Sequence, residues 1–328
     1  MPDVQNALRV SGTGFSSFNN KRNTVIRICW NNYHTPNTIE EAVQWLKHYD
    51  GRARVIGGGT DLLLEIQQGQ SPVEEAMVDT SRIAGLSRIT NDGIHIIIGC
   101  AVTHTQIVHD EHIIRHGSCL MESCGVIGGP QVRNVATLAG NIAHALPAGD
   151  GSIGLLALDG EVEVADINGS HWMPLKDAFL GPGKSAIDPR RAVLTRLRFP
   201  LAQARTGSAF TRVMRPQGVA LPMISMAARL QLDENNIITA ARISLGPAGP
   251  VPYLAEPAMD VLTGGQAESE QFTKAAEAVL ASVPLRTSKY RATREYRAEM
   301  IRTHLPLILT LAAERARSGH TVPEGVVQ

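Results

Sequence analysis

Three consecutive glycines in Val55-Ile56-Gly57-Gly58-Gly59-Thr60-Asp61-Leu62 let the backbone approach a ligand closely and aim its amides into one concavity. The Thr60 hydroxyl adds a side-chain donor. Such a run is either a pyrophosphate cradle or a plain tight turn between a strand and a helix. It lacks the Gly-Lys-Ser/Thr ending of a P-loop and the Gly-x-Gly-x-x-Gly spacing of a Rossmann fingerprint. A second stretch, Gln131 to Ile142, contains Thr137-Leu138-Ala139-Gly140-Asn141, again a hydroxyl, small residues and an amide side chain, and Pro147-Ala148-Gly149-Asp150 follows it. The Asp150 carboxylate can accept hydrogen bonds from ligand hydroxyls such as those of a ribose or ribityl chain. Each loop alone fits a structural turn. Two in one α/β unit favour a ligand with two phosphates.

The other reactive side chains form no comparable constellation. Cys29, Cys100, Cys119 and Cys124 contain no Cys-x-x-Cys pair. They read as buried small hydrophobes in a reducing compartment rather than as half of a metal site. His112 and His116 stand four apart on a predicted helix without a third ligand, and His104, His109 and His144 are scattered. The bland surface reading outweighs zinc for them. No Gly-x-Ser-x-Gly elbow is present.

Elements that would position the loops are legible around them. Thr38 can cap a helix over Ile39–Tyr49, with Glu40 and Glu41 in its first turn and Gly51 stopping it. Arg54–Ile56 reads as a short buried strand, and a helix begins at Thr60 or Asp61. Strand, glycine turn and helix N-terminus together make a phosphate-binding arrangement. Further strands are predicted at Met77–Asp79, Ile94–Ile98, Glu161–Ala165 and Val193–Phe199, with a loop at Gly181–Lys184. Helices are predicted at Thr103–His109, Glu111–Cys124 and Ile153–Leu158. After a polar connector at Leu201–Gly207, Met223–Leu232 and Ile237–Leu245 flank a hairpin turn. Helical segments follow at Thr273–Ala281 and Arg291–Arg317, the latter broken or kinked at Pro306.

Composition bounds the partners. Hydrophobic residues make up 43% and charged residues 19% of the 328, an ordinary globular balance. Lys+Arg and Asp+Glu are both 31, so no net field favours a polyanion, and with 4% aromatics a nucleic-acid partner is not expected. No stretch approaches the roughly 18 apolar residues of a membrane span. Met1–Asn23 lacks an apolar signal core, so the expected location is cytoplasmic.

The paired loops resemble the FAD-binding signature of the medium subunits and flavin domains of molybdenum hydroxylases of the xanthine dehydrogenase and carbon monoxide dehydrogenase type. Ile98-Gly99-Cys100-Ala101-Val102-Thr103, Leu155-Leu156-Ala157-Leu158-Asp159, Gly181-Pro182-Gly183-Lys184 and Arg291-Ala292-Thr293-Arg294-Glu295-Tyr296-Arg297 are similar to family stretches in the same order. The resemblance runs from about Trp30 to Arg317. It implies an α+β fold: a vanillyl-alcohol-oxidase-type FAD-binding domain of two α/β subdomains, then a CO dehydrogenase flavoprotein-like C-terminal α+β domain. The implied boundaries are an arm at about 1–27, the FAD-binding domain at about 28–202 with subdomains at about 28–82 and 83–202, the C-terminal domain at about 207–318 and a tail at about 319–328.

The resemblance also implies site roles. Val55, Ile56, Gly57, Gly58, Gly59, Thr60, Asp61 and Leu62 would wrap the FAD pyrophosphate, with Asp61 and Leu62 nearest the flavin. Ile127 would line the cofactor, and Thr137, Leu138, Ala139, Gly140 and Asn141 would hold phosphate. Asp150 would bind sugar or ribityl hydroxyls, and Leu194 would pass the ring. No catalytic side chain or metal ligand is implied. The implied task is electron transfer: iron–sulfur clusters of a small partner subunit deliver electrons taken at the molybdenum cofactor of a large one, and FAD passes them to NAD or another acceptor. A self-contained flavin oxidase and a non-catalytic assembly subunit are the rivals. Three departures from the family pattern stand out. Ala139 replaces a glycine, Thr211-Arg212 stands where some relatives carry a lysine, and Arg215–Pro222 replaces an Arg-Arg-x-x-Asp-Ile-Ala stretch.

Overall fold

A computed structural model describes residues 30–215, 221–289 and 291–321. The predicted arm, Cys29, the 216–220 part of the Arg215–Pro222 stretch and the 322–328 part of the tail lie outside the described residues.

The first unit carries the first glycine loop. Strand β1 (Asn32–His34), helix α1 (Ile39–Tyr49), strand β2 (Ala53–Ile56), helix α2 (Leu62–Gln67) and strand β3 (Ala76–Asp79) form a parallel sheet in the order β1-β3-β2. Helix α1 starts as its sequence dictates: the Thr38 hydroxyl accepts from the Glu41 amide at 3.1 Å. Its apolar stripe of Ala42, Val43, Leu46 and Tyr49 is buried. The stop is Asp50, left-handed at φ 42°, and not Gly51, which follows at φ 83°.

The second unit begins with β4 (Ile89–Asn91), β5 (His95–Gly99), α3 (His104–His109), α4 (Glu111–His116) and α5 (Ser118–Gly125). Helices α6 (Pro130–Arg133), α7 (Leu138–Ala143) and α8 (Asp150–Ala157) follow. Strands β6 (Glu161–Asp166), β7 (Gly169–Pro174), β8 (Phe179–Gly181), β9 (Lys184–Ser185) and β10 (Val193–Pro200) complete it. Its main sheet is antiparallel, ordered β4-β5-β10-β6-β7. The predicted single helix over Glu111–Cys124 is two helices. Gly117 interrupts it because the chain there is pressed against Leu158 and Phe199, and a Cβ would sit 2.8 Å from Leu158 Cδ1.

In the C-terminal unit, β11 (Thr206–Val213), β12 (Ile224–Leu232), β13 (Ile238–Gly246) and β14 (Tyr253–Leu254) form an antiparallel sheet in chain order. It packs against α9 (Glu256–Leu262), α10 (Ser269–Ser282) and α11 (Arg294–Ser318). The predicted connector is shorter than expected, since β11 begins at Thr206. Gly207 lies within that strand, where a Cβ would meet the Ala312 carbonyl oxygen of α11.

Of the break or kink predicted at Pro306, the break does not occur: α11 runs for 25 residues with Pro306 inside it. A proline inside a helix costs about 3 kcal/mol. Burying Ile301, Leu305, Ile308 and Leu309 offsets this, at about 1.5–3 kcal/mol for each side chain.

Helices α5 and α8 of the second unit pack against the C-terminal sheet, and Phe210 and Ala227 of that sheet join the core of the first two units. The seam is held by buried serines. Ser118 Oγ donates to Ser208 O at 2.9 Å, the Cys119 amide to Ser208 Oγ at 3.2 Å, and Ser244 Oγ to Ile153 O at 2.7 Å. Among the described residues no helix is long and apolar enough to cross a membrane.

Candidate functional site

The two glycine-bearing loops meet. A Cβ on Gly58 would lie 2.2 Å from the Val135 carbonyl oxygen and 2.9 Å from Ala136 Cα. One on Gly57 would be 3.5 Å from Thr137 Oγ1. The left-handed residue of the first loop is Gly59, at φ 67°. No backbone amide of residues 57–61 has a protein hydrogen-bond acceptor among the described residues. Unpaired amides beside a cavity suit an anionic ligand. Thr137 caps α7, its Oγ1 accepting from the Gly140 amide at 3.0 Å. Ala139 is the second residue of that helix, without a positive φ, which explains why alanine is tolerated there.

Between the loops lies a cavity of about 440 Å³. Val55, Ile56, Gly57, Gly58, Gly59, Thr60, Asp61 and Leu62 border it on one side, and Thr137, Ala139, Gly140, Asn141 and Asp150 on the other. Ile127 and Leu194 supply apolar wall. Leu138 is the exception among the expected residues: it is fully buried in the core behind the wall. Asn141 borders the cavity, but its side-chain oxygen accepts from the Ser152 amide at 3.1 Å and Ser152 Oγ at 3.2 Å, so it also braces α8.

Several bordering residues are not among the expected cavity groups, although Arg212 and Arg291 lie in stretches that the sequence singles out. Arg54, Arg212 and Arg291 bring three guanidiniums to a wall that also carries the Asp61 and Asp150 carboxylates. Arg212, rather than Thr211, faces the cavity, and it arrives from the C-terminal unit on β11. Its Nη1 donates to Asp150 Oδ2 at 3.0 Å and to Val126 O at 2.5 Å, while Ser225 Oγ donates to Asp150 Oδ1 at 2.6 Å. Burial pushes the Asp150 carboxyl up to about 6, against the opposing pull of Arg212 and Ser225. His104 also borders the cavity, and burial, with Arg133 nearby, pushes its imidazole down to about 4.

These two groups oppose one another in acid. Between pH 6.5 and about 4 the unfolded chain protonates His104 and the folded chain does not, so stability falls with pH. Between about 6 and 3.8 the folded chain holds a proton on Asp150 that the unfolded chain has lost, so stability rises as pH falls. Relative to the parent chain, His104→Gln should lose less stability on going from pH 6 to 4.5 and Asp150→Asn should lose more. Each slope should change by up to about 1.4 kcal/mol per pH unit. Urea titrations across that range measure it. Parallel curves for all three proteins would contradict the assignment.

The wall fits FAD. Free amides, the Thr60 and Thr137 hydroxyls and the guanidiniums match a diphosphate, and Ile127, Leu194 and Leu62 offer apolar contact to a ring. No group of three or more His, Cys, Asp or Glu side chains suited to holding a metal occurs among the described residues.

Comparison with known proteins agrees with this arrangement. Residues 26–202 match the FAD binding domain in molybdopterin dehydrogenase, and residues 208–309 match the CO dehydrogenase flavoprotein C-terminal domain. The chain is 29% identical to the xanthine dehydrogenase FAD-binding subunit of Escherichia coli, over 87% of this chain and 96% of that one. It is 27% identical to the carbon monoxide dehydrogenase medium chain of Afipia carboxidovorans, over 87% and 96%. A solved chain of the Hydrogenophaga pseudoflava carbon monoxide dehydrogenase that lacks the Mo-pyranopterin moiety superposes with a TM-score of 0.81. There the identity is 25%, covering 87% of this chain and 97% of that one. With more than half its length in one matched domain, and with the cavity where that domain's loops converge, this chain belongs to the family of FAD-binding subunits of molybdenum hydroxylases.

Proposed function

We propose that this chain holds one non-covalent FAD in the cavity and serves as the electron-transfer subunit of a heteromeric molybdenum hydroxylase. The observation that carries the reading is the meeting of two loops across one cavity, with the amides of residues 57–61 unpaired beside it. When bound, FAD supplies the redox chemistry through its isoalloxazine. The protein's part is to bind and orient it. The amides of Gly57–Asp61 and the Thr137 hydroxyl would hold the diphosphate, and Arg54 would balance its charge. Asp150, fixed by Arg212 and Ser225, would accept from sugar or ribityl hydroxyls. Ile127 and Leu194 would exclude water from the ring.

The rest of the reaction belongs to partners: a large subunit with the molybdenum cofactor and a small subunit with the iron–sulfur clusters. Four cysteines are too few for two two-iron clusters, which need eight thiolates. The terminal acceptor would be NAD or another carrier. Cys100, Cys119 and Cys124 are buried free thiols, which supports a reducing, cytoplasmic setting. The division near residues 202–207 would separate the FAD-binding domain from the C-terminal one.

The test is expression of the chain alone. Acid precipitation should release all flavin into the supernatant as FAD. Assay of the intact flavoprotein with xanthine, aldehydes or carbon monoxide and a dye acceptor should give no substrate-dependent reduction. Flavin retained on the pellet would refute non-covalent binding. Substantial turnover by the lone chain would establish a self-contained oxidase instead, and colourless protein that takes up no added FAD would leave an assembly role.

A further inference from the structure

His104 stands at the join of the two loops. It is the first residue of α3, and its amide donates to Ala136 O at 3.0 Å. Its neighbour Thr103 forms an isolated antiparallel bridge with Thr137. The segment from Val135 to Thr137 therefore touches Gly57 and Gly58 on one side and carries His104 on the other. The histidine is only 1% exposed, yet it borders the cavity. Neither ring nitrogen has a protein hydrogen-bond partner among the described residues, and Nδ1 is fully enclosed. Nε2 is the nitrogen that is not enclosed, so it is the one a ligand can reach, and a donor there held beside the cavity without an acceptor would be costly.

The chemistry selects which part of the ligand. The ring is neutral at neutral pH, because burial and the Arg133 guanidinium both oppose its protonation. A neutral imidazole has one donor and one acceptor. Enclosed N–H groups without partners are rarer than enclosed acceptors, which puts the proton on Nε2. Diphosphate oxygens only accept, and the segment to which His104 is tied packs against the first loop, whose amides at residues 57–61 are unpaired.

We propose that His104 is a cofactor-binding residue whose Nε2–H donates to a phosphate oxygen of the bound dinucleotide at the junction of the two loops. It joins the backbone amides as a neutral donor, so it adds a directed contact without adding charge. This rests on the cavity being the FAD site.

The test compares the full-length, deflavinated parent chain with His104→Leu and His104→Gln, titrating each with FAD, ADP and adenosine by calorimetry. Gln places an amide N–H near the position of Nε2, whereas Leu fills the space without a donor. His104→Leu should weaken FAD and ADP about 10- to 100-fold, the range for a hydrogen bond to a charged group. It should leave adenosine unchanged, and His104→Gln should recover most of the loss. Equal weakening of ADP and adenosine would show a structural role and overturn the proposal. So would unchanged FAD binding by His104→Leu. Failure of the parent chain to bind FAD at all would overturn the cofactor reading with it.

Discussion

Gly58→Val should purify without flavin. The added Cβ would lie 2.2 Å from the Val135 carbonyl oxygen, 2.8 Å from Val135 C and 2.9 Å from Ala136 Cα. These are backbone atoms, which cannot rotate away as a side-chain tip can. The loops must part, and the amides of residues 57–61 lose their place opposite Thr137. The cause is this close approach and not left-handed backbone, which belongs to Gly59. Even Gly58→Ala carries the clashing atom and should lose most of its FAD. Gly51→Ala separates strain from binding. Gly51 has φ 83° with nothing within 4 Å of its Cβ position, so the change costs about 1 kcal/mol or somewhat more while flavin is retained. The flavin-to-protein absorbance ratio of the purified variants reads this directly. Full flavin in Gly58→Val would remove the first loop from the site.

Arg315→Met should be the most destabilising single change at the seam between the units. Arg315 lies on α11 and is 3% exposed. Its Nη2 donates to Glu122 Oε1 at 2.5 Å and its Nη1 to Ser208 O at 2.6 Å. Glu122, on α5, also accepts from the Phe210 amide at 2.8 Å, and burial pushes its carboxyl up. Removing the guanidinium leaves that half-buried carboxylate without its cation, which costs up to about 3 kcal/mol, the lower end for a fully buried pair and a large share of a typical stability. Adding Glu122→Gln should restore part of the loss, because the unpaired charge, more than the missing contact, dominates the penalty. Arg302→Ala, which breaks an ion pair with Glu277 in solvent, should change stability little. Urea midpoints of the four proteins measure the set. A single-variant loss no larger than that of Arg302→Ala would show that the pair holds nothing together.

The first loop was legible because its information is local: a buried strand, three glycines and a helix start occupy adjacent positions. Thr38 and Thr103 likewise mark helix starts through their own hydroxyls, whereas the helix that Thr137 caps reads in the sequence only as a loop. What escaped the sequence depends on distant packing. The break falls at Gly117, a local signal that the reading of Glu111–Cys124 as one helix passes over, and its cause lies in Leu158 and Phe199, which crowd that spot from far along the chain. The continuity of α11 through Pro306 is set by its buried face, against the local preference. Strand β7 shows no apolar alternation because it is an outer strand, secured by pairing with β6 and by Arg198 stacked 4.1 Å above Trp172. Leu138 belongs to the second loop by sequence, but its place in α7 turns it into the core. Arg212 reaches the cavity from another unit, and His104 sits on a helix start whose local pattern explains it without any ligand.

The serine hydroxyls at the seam have a further consequence. Apolar faces in contact can slide with little change in energy, since dispersion has no preferred direction. Hydrogen bonds have a bearing as well as a length. Ser118, Ser208, Ser225 and Ser244 act as keys in a joint, fixing the angle at which the C-terminal sheet meets α5 and α8. Because β11 carries Arg212, that angle also fixes one wall of the cavity. The joint thus gives angular accuracy to a site whose other walls come from the first two units, so molecules of this chain present nearly identical geometry to whatever docks beside them.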